Sequence, residues 1–94
     1  MTKKELVKKV HERIAVYPSK DISYSVDVIF EAMTGALKNN ERIEIRDFGN
    51  FTVRRRKPIL GRNPKTSDIV HVPERRIPFF KVGKQLKDMI NGCR

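Results

Sequence analysis

Four cations follow one another at Arg54-Arg55-Arg56-Lys57, directly after the β-forming run Phe51-Thr52-Val53. A half-buried strand alternates apolar and polar residues, because successive side chains point to opposite faces. Here charge falls on both faces, so neither face can be buried against an apolar core. Such a strand stands in solvent or lies against something strongly anionic. Downstream, Gly61-Arg62-Asn63-Pro64-Lys65-Thr66 supplies a tip, and Ile69-Val70-His71-Val72 followed by Arg75-Arg76-Ile77 runs back. Two β-forming runs around a tip rich in Gly, Asn and Pro predict a long β-hairpin. Pro64 lacks an N–H and holds a fixed φ, which makes it a stiff apolar wedge at the end of the ribbon. Arg62 and Lys65 flank it with charge, and Asn63 adds a donor and an acceptor suited to a groove edge. One reading is an ordinary charged hairpin with a turn proline. The other is a ribbon whose wedge enters between base steps of a DNA minor groove, and the run of cations favours it.

Composition adds two constraints. Charged residues make up 34% of the chain against 7% aromatic, with no Trp, a thin supply of core material. With residues 54–76 set apart as an arm, 71 of the 94 residues remain to fold. A body of that size is marginal alone, which argues for oligomerisation. The charge is also one-sided. Residues 1–47 carry nine Lys/Arg against eight Asp/Glu, and residues 48–94 carry twelve against three. A field so placed is the footprint of a polyanion binder.

Other classes find little support. No apolar run is long enough to span a membrane, no signal-peptide core is present, and no basic amphipathic helix suits a membrane surface. The single cysteine, Cys93, allows no internal disulfide and suits a reducing cytoplasm. His11, His71 and Cys93 do not approach metal-site spacing, so no metal or other cofactor is expected. Nucleophile elbows, phosphate-cradling Gly loops and carboxylate pairs in an apolar setting are all missing, which speaks against an enzyme. Strand addition to another protein would suit only an acidic partner. RNA is the more serious rival, but the chain offers no exposed aromatic platform for stacking single-stranded bases.

Read in order, Thr2 and Glu5 form a capping-box pattern for a first helix, with Leu6, Val7, Val10 and Ile14 on one face. Tyr17-Pro18-Ser19 breaks it. Asp21 is the expected N-cap of a second helix, along which Ile22, Val26, Ile29, Phe30, Met33 and Leu37 form an apolar stripe. That stripe is wider than a helical hairpin can cover, so Phe30 and Met33 are assigned to a core shared with a partner subunit. Gly35 inside the pattern predicts close helix packing, and Asn39-Asn40 ends the helix. Glu41 to Arg46 alternates as a strand, with Ile43 and Ile45 inward and Arg42, Glu44 and Arg46 outward. Asp47-Phe48-Gly49-Asn50 turns the chain, with Gly49 expected at positive φ. Ile77-Pro78-Phe79-Phe80 reads as a short edge or bulged strand. Gly83 opens a last helix with Leu86, Met89 and Ile90 inward and Lys84 and Lys87 outward, its N-terminus offered to a phosphate.

Asp47-Phe48-Gly49-Asn50-Phe51, Gly61-Arg62-Asn63-Pro64-Lys65-Thr66 and Phe80-Lys81-Val82-Gly83-Lys84-Gln85-Leu86-Lys87 together resemble the signatures of the bacterial histone-like HU and integration host factor family. The resemblance covers essentially the whole chain. It implies an α+β fold, an intertwined dimer in a single domain. A helical hairpin (1–39) would dimerise, a small antiparallel sheet (41–53 and 77–81) would form the floor, a β-arm (54–76) would wrap DNA, and a short helix (83–91) would close the chain. It further implies an architectural double-stranded DNA-binding protein that bends DNA from the minor groove; apolar wedges between base steps are the established device of this family. The residues so implied at the DNA are Lys3, Arg46, Arg54, Arg56, Lys57, Arg62, Asn63, Pro64, Lys65, Arg75, Arg76, Lys84 and Lys87, with Pro64 intercalating. Phe30, Met33, Phe48, Phe51 and Phe80 form the implied dimer core. Glu44 is expected to hold the Arg46 guanidinium on the floor strand. The partners implied are duplex DNA and a second subunit, at work on the nucleoid in the cytoplasm. A homodimer of low specificity is the main expectation. The alternative is one subunit of a site-preferring heterodimer, because Glu41-Arg42-Ile43-Glu44-Ile45-Arg46 and Lys65 resemble an integration host factor subunit. Two departures touch the arm. Ile59 stands where the family is commonly basic, followed by Leu60, and Ser67 stands where a Gly commonly follows the tip.

Overall fold

The computed structural model describes residues 1–92; Cys93 lies outside the described residues. The chain divides into two compact units, one ending at Gly35 and one beginning at Ala36.

In the first unit, helix α1 (Lys3–Arg13) begins where Thr2 accepts the Glu5 N–H on its hydroxyl at 3.2 Å. Such a cap stabilises a helix by about 1 kcal/mol. Helix α2 (Ser19–Lys38) starts earlier than an Asp21 cap would allow. Pro18 has no N–H to lose at a helix start, and its carbonyl accepts the Asp21 and Ile22 N–H groups at 3.0 and 3.2 Å. Asp21 instead sits in the first turn, where its charge opposes the positive end of the dipole. Val7, Ile22 and Val26 are buried with Val10 packed against them. That is a small core for two helices. Ile29 is 57% and Phe30 42% exposed, and Met33 is half-buried. A Cβ added at Gly35 would meet nothing within 4 Å, so the close packing expected there is not made within this chain.

The second unit begins on the end of α2. The Asn40 N–H reaches the Leu37 carbonyl at 3.1 Å and the Glu41 N–H reaches that of Ala36 at 2.9 Å. With Asn40 at φ 60 this is a left-handed C-terminal cap, formed by Asn where Gly is commoner. Strands β1 (Ile43–Ile45), β2 (Gly49–Arg56) and β5 (Arg75–Val82) form an antiparallel sheet in the order β1-β2-β5. Strand β5 is at an edge, where its Pro78, opposite Val53, is tolerated. Ile43 faces Phe51 and Phe51 faces Phe80, so these share one side of the sheet. Phe80 stacks at 4.7 Å from Phe51 and 5.6 Å from Phe48, between ring centroids. These rings remain open in the single chain, with Phe48 43% and Phe80 38% exposed.

The turn before β2 places Gly49 at positive φ, as expected, and adds a second residue there. Gly49 stands at φ 159, and Asp47 takes the left-handed conformation at φ 67. Gly49 is required for room: a Cβ there would stand 2.6 Å from the Lys81 carbonyl oxygen and from the Phe80 ring. Gly83 is constrained likewise, since a Cβ would meet the Phe48 carbonyl at 3.2 Å. Its N–H donates to that carbonyl at 2.9 Å, which fixes the start of α3 (Lys84–Asn91) against the sheet's turn. Only the beginning of α3 is held this way. Leu86 is half-buried, but Met89 and Ile90, expected inward, are 69% and 72% exposed. Among the described residues no helix is long and apolar enough to cross a membrane.

Candidate nucleic-acid interface

The predicted hairpin is present, in two pieces of unlike character. Strands β2 and β5 pair as far as Arg56 opposite Arg75, and β3 (Ile59–Arg62) pairs with β4 (Ile69–Val72) from Ile59 opposite Val72. Counting inward from both ladders sets Lys57 opposite Glu74 and Pro58 opposite Pro73, so one register runs through the whole arm. The break falls where both strands carry a residue without an N–H.

Pairing sorts the cations of the inner piece onto two faces, since directly opposed residues share a face. Arg54, Arg56 and Arg75 lie on one, with Ile77 and Phe79. There the Arg54 guanidinium stacks 3.5 Å above the Phe79 ring centroid. Such a stack adds about 0.5–1 kcal/mol at an exposed site and leaves the N–H edge of the guanidinium free. Arg55 and Arg76 lie on the other face, and both meet acceptors of the chain itself. The Arg55 Nε is 3.3 Å from a Glu74 carboxylate oxygen. The Arg76 Nη1 donates to the Lys38 carbonyl at 3.1 Å and to the Asn40 side-chain oxygen at 2.8 Å. The strand expected to carry its cations on both faces does so, and on one of them Arg55 and Arg76 meet acceptors of the chain itself.

The tip is a tight turn stabilised by Asn63. Its carbonyl accepts the Ser67 N–H at 2.7 Å, its N–H donates to the Asp68 carbonyl at 2.8 Å, and its side-chain oxygen accepts the Lys65 N–H at 2.9 Å. Asn and Pro in succession are the turn chemistry that favours this geometry. Asn63 thus uses its side-chain oxygen locally, to hold the turn. Pro64 is exposed at the apex, with Arg62 and Lys65 exposed beside it. Ser67 takes the left-handed conformation at φ 61, which explains the suitability of Gly at this place.

On the floor strand the expected ion pair has a different partner. Glu44 meets Arg42, at 3.1 Å from its Nη2, and not Arg46. Arg46 lines a shallow hollow with Asp47, Asn50 and Gly83, the residue that precedes α3. The first N–H groups of α3 have no partner within the helix, and exposed Lys84 opens it, with exposed Lys87 one turn on. In the first unit, the Lys3 ammonium is bound to Asp27 at 2.8 Å. The structure thus gathers Arg54, Arg56 and Arg75 on one face, with Arg62, Pro64 and Lys65 at the tip. Lys57 falls in the interruption between the ladders. Two contributors escaped sequence reading: Phe79 as the plate under Arg54, and Glu74 as the acceptor for Arg55. Only the register, which places each diagonally across the ladder, reveals them.

A family model described as bacterial DNA-binding protein matches residues 1–91. Integration host factor subunit beta of Herminiimonas arsenicoxydans is 48% identical over 92 residues, covering 98% of this chain and 91% of that one. The same-named subunit of Azoarcus sp. (strain BH72) is 45% identical over 91 residues, with 97% of each chain covered. Among solved structures, an Anabaena HU–DNA cocrystal structure superposes with a TM-score of 0.87 at 32% identity, covering 96% of this chain and 97% of that chain. HU from Thermotoga maritima does so with a TM-score of 0.67 at 31% identity, covering 96% and 98%. Sequence, fold and arm chemistry agree: the chain belongs to the bacterial DNA-binding protein family of HU and the integration host factor subunits.

Proposed function

We propose that the protein is an architectural subunit that bends double-stranded DNA from the minor groove, without turnover, on the nucleoid in the cytoplasm. The observation that carries this reading is the sorting of cations on the arm. Arg54, Arg56 and Arg75 share one open face that leads towards Arg62, Pro64 and Lys65 at the tip. Phosphates on a groove wall meet that face, with Lys57 between the ladders, while the tip enters the groove and Asn63 offers its amide to the groove edge. Arg46, Lys84 and Lys87 continue the contact on the body, where the open N–H groups of α3 suit a phosphate. Lys3 joins them by exchanging Asp27 for a phosphate. Pro64 fills a kinked base step as an apolar plate.

A second chain completes the body. Phe30, Met33, Phe48, Phe51 and Phe80 are half-buried or exposed in the single chain, and among the described residues the buried apolar side chains are those of Val7, Ile22 and Val26. The relatives named subunit beta support a heterodimer with a homologous chain over the homodimer that the charge excess first suggests. The test combines mass and salt. Light scattering on the purified chain, alone and with a homologous second subunit, reports the assembly. Titration of duplex DNA should show affinity falling roughly 10³–10⁵-fold between 50 and 200 mM salt, as neutralising ~6–10 phosphates requires. A flat salt dependence would overturn the clamp.

A further inference from the structure

Arg76 carries the charge of a phosphate contact but has its acceptors within the chain. It stands opposite Arg55 in the β2–β5 ladder, on the face away from Arg54, Arg56 and Arg75. Its two acceptors, the Lys38 carbonyl at 3.1 Å and the Asn40 side-chain oxygen at 2.8 Å, both belong to the C-terminal end of α2. The last carbonyls of a helix have no partner within it. Here the cap amides of Asn40 and Glu41 satisfy Leu37 and Ala36, and Lys38 is left for Arg76. The negative end of the helix dipole favours a cation at this place. Asn40 is held at φ 60 by the cap, so its side chain is offered in a fixed position. A planar guanidinium that reads two fixed acceptors is held in orientation as well as in place.

We infer that Arg76 is a positioning residue, with Asn40 as its partner. It fastens the base of the arm to the end of α2 and sets the roll of the ribbon, so that the Arg54–Arg56–Arg75 face stays turned outward. The inference rests on the proposed function for its consequence in bending, and on the fold alone for the anchor. Both groups are exposed, so the anchor governs orientation more than global stability.

Two variants separate anchor from ligand. Arg76→Ala removes both a charge and the anchor; Asn40→Gly removes the side-chain acceptor alone, with a residue that suits φ 60. In the assembled protein, both should lower the DNA bend at saturating protein, read by energy transfer between duplex ends. Both should leave the slope of log affinity against log salt unchanged, and the double variant should be no worse than Arg76→Ala. A slope lower by about 0.9 in Arg76→Ala, with Asn40→Gly silent, would make Arg76 a phosphate ligand and overturn the inference. Without DNA, spin labels at Glu41 and Thr66 in a Cys93→Ser background should show a broader distance distribution in either variant. An unchanged distribution overturns the anchor. A broadened one, with a parent that fails to bend DNA, upholds the anchor and rejects the proposed function.

Discussion

In the inner part of the arm Arg56 faces Arg75 and Arg55 faces Arg76, whereas in the outer part Ile59 faces Val72 and Gly61 faces Val70. Both parts are two-stranded, antiparallel and in one register, yet their chemistry is opposite. Like charges directly opposed across a ladder repel, and the inner part tolerates them through Phe79, Glu74 and Asn40. The outer part presents apolar side chains to solvent, with Ile59 53% and Ile69 67% exposed. Backbone pairing alone therefore does not define what an arm does. Under the proposed function the inner ribbon meets phosphate and the outer ribbon makes apolar contact with the DNA.

This division can be broken at four points. The largest effect is expected from the triple variant Arg54→Ala, Arg56→Ala, Arg75→Ala. Each lost phosphate contact should lower the salt slope by about one, and so by roughly three in all. An unchanged slope would show that phosphates meet some other surface. Next, Pro64→Ala should bind straight duplex with modest loss but bend it much less, because unstacking costs a few kcal/mol per step and the plate that offsets it is gone. Affinity for nicked or gapped DNA should survive. Bending equal to the parent's would make the tip an ordinary turn.

The outer ribbon gives a smaller effect of another kind. Complete burial of an Ile side chain stabilises by roughly 1.5–3 kcal/mol, and Ile59 begins 53% exposed. Ile59→Ser should then weaken DNA binding by about 1 kcal/mol, near fivefold, with no change in salt slope. Unaltered affinity would remove the outer ribbon from the interface. The smallest effect is expected at Ser67. Relief of its left-handed conformation by Ser67→Gly, less the added chain entropy, should stabilise the tip by up to about 1 kcal/mol. Slower amide exchange at Asn63 would record it, and unchanged exchange would show that φ 61 carries no cost there.

These outcomes also bear on what a sequence discloses. The hairpin, the strand at Ile43–Ile45 and the end of α2 at Asn39-Asn40 were legible because each depends on neighbours in the chain. Asp21 misled, since a good capping residue stood three places after a Pro whose carbonyl could open the helix first. Glu44 misled for a symmetrical reason. Period-two spacing sets Arg42 and Arg46 at equal distance on the same face, so alternation cannot choose between them. Gly49 was correctly singled out for its positive φ, but the crowding from Phe80 and Lys81 that also demands glycine there arises about thirty residues away. The candidate DNA residues were found by charge, which is local. Their division into open and occupied faces needed the register, and the Arg76–Asn40 contact spans 36 residues.

The facing prolines have a consequence for the protein in bulk. A two-stranded ribbon has two free edges, and apolar residues such as Ile59, Leu60, Ile69 and Val70 are exposed along it. Exposed edges of this composition recruit further strands and lead to fibres. Pro58 and Pro73 cut the outer ladder to four residues on each strand. An incoming strand finds no donor at the break and, beyond it, a ribbon of like positive charge. Two missing hydrogen atoms thereby work against edge-to-edge pairing of one arm with another.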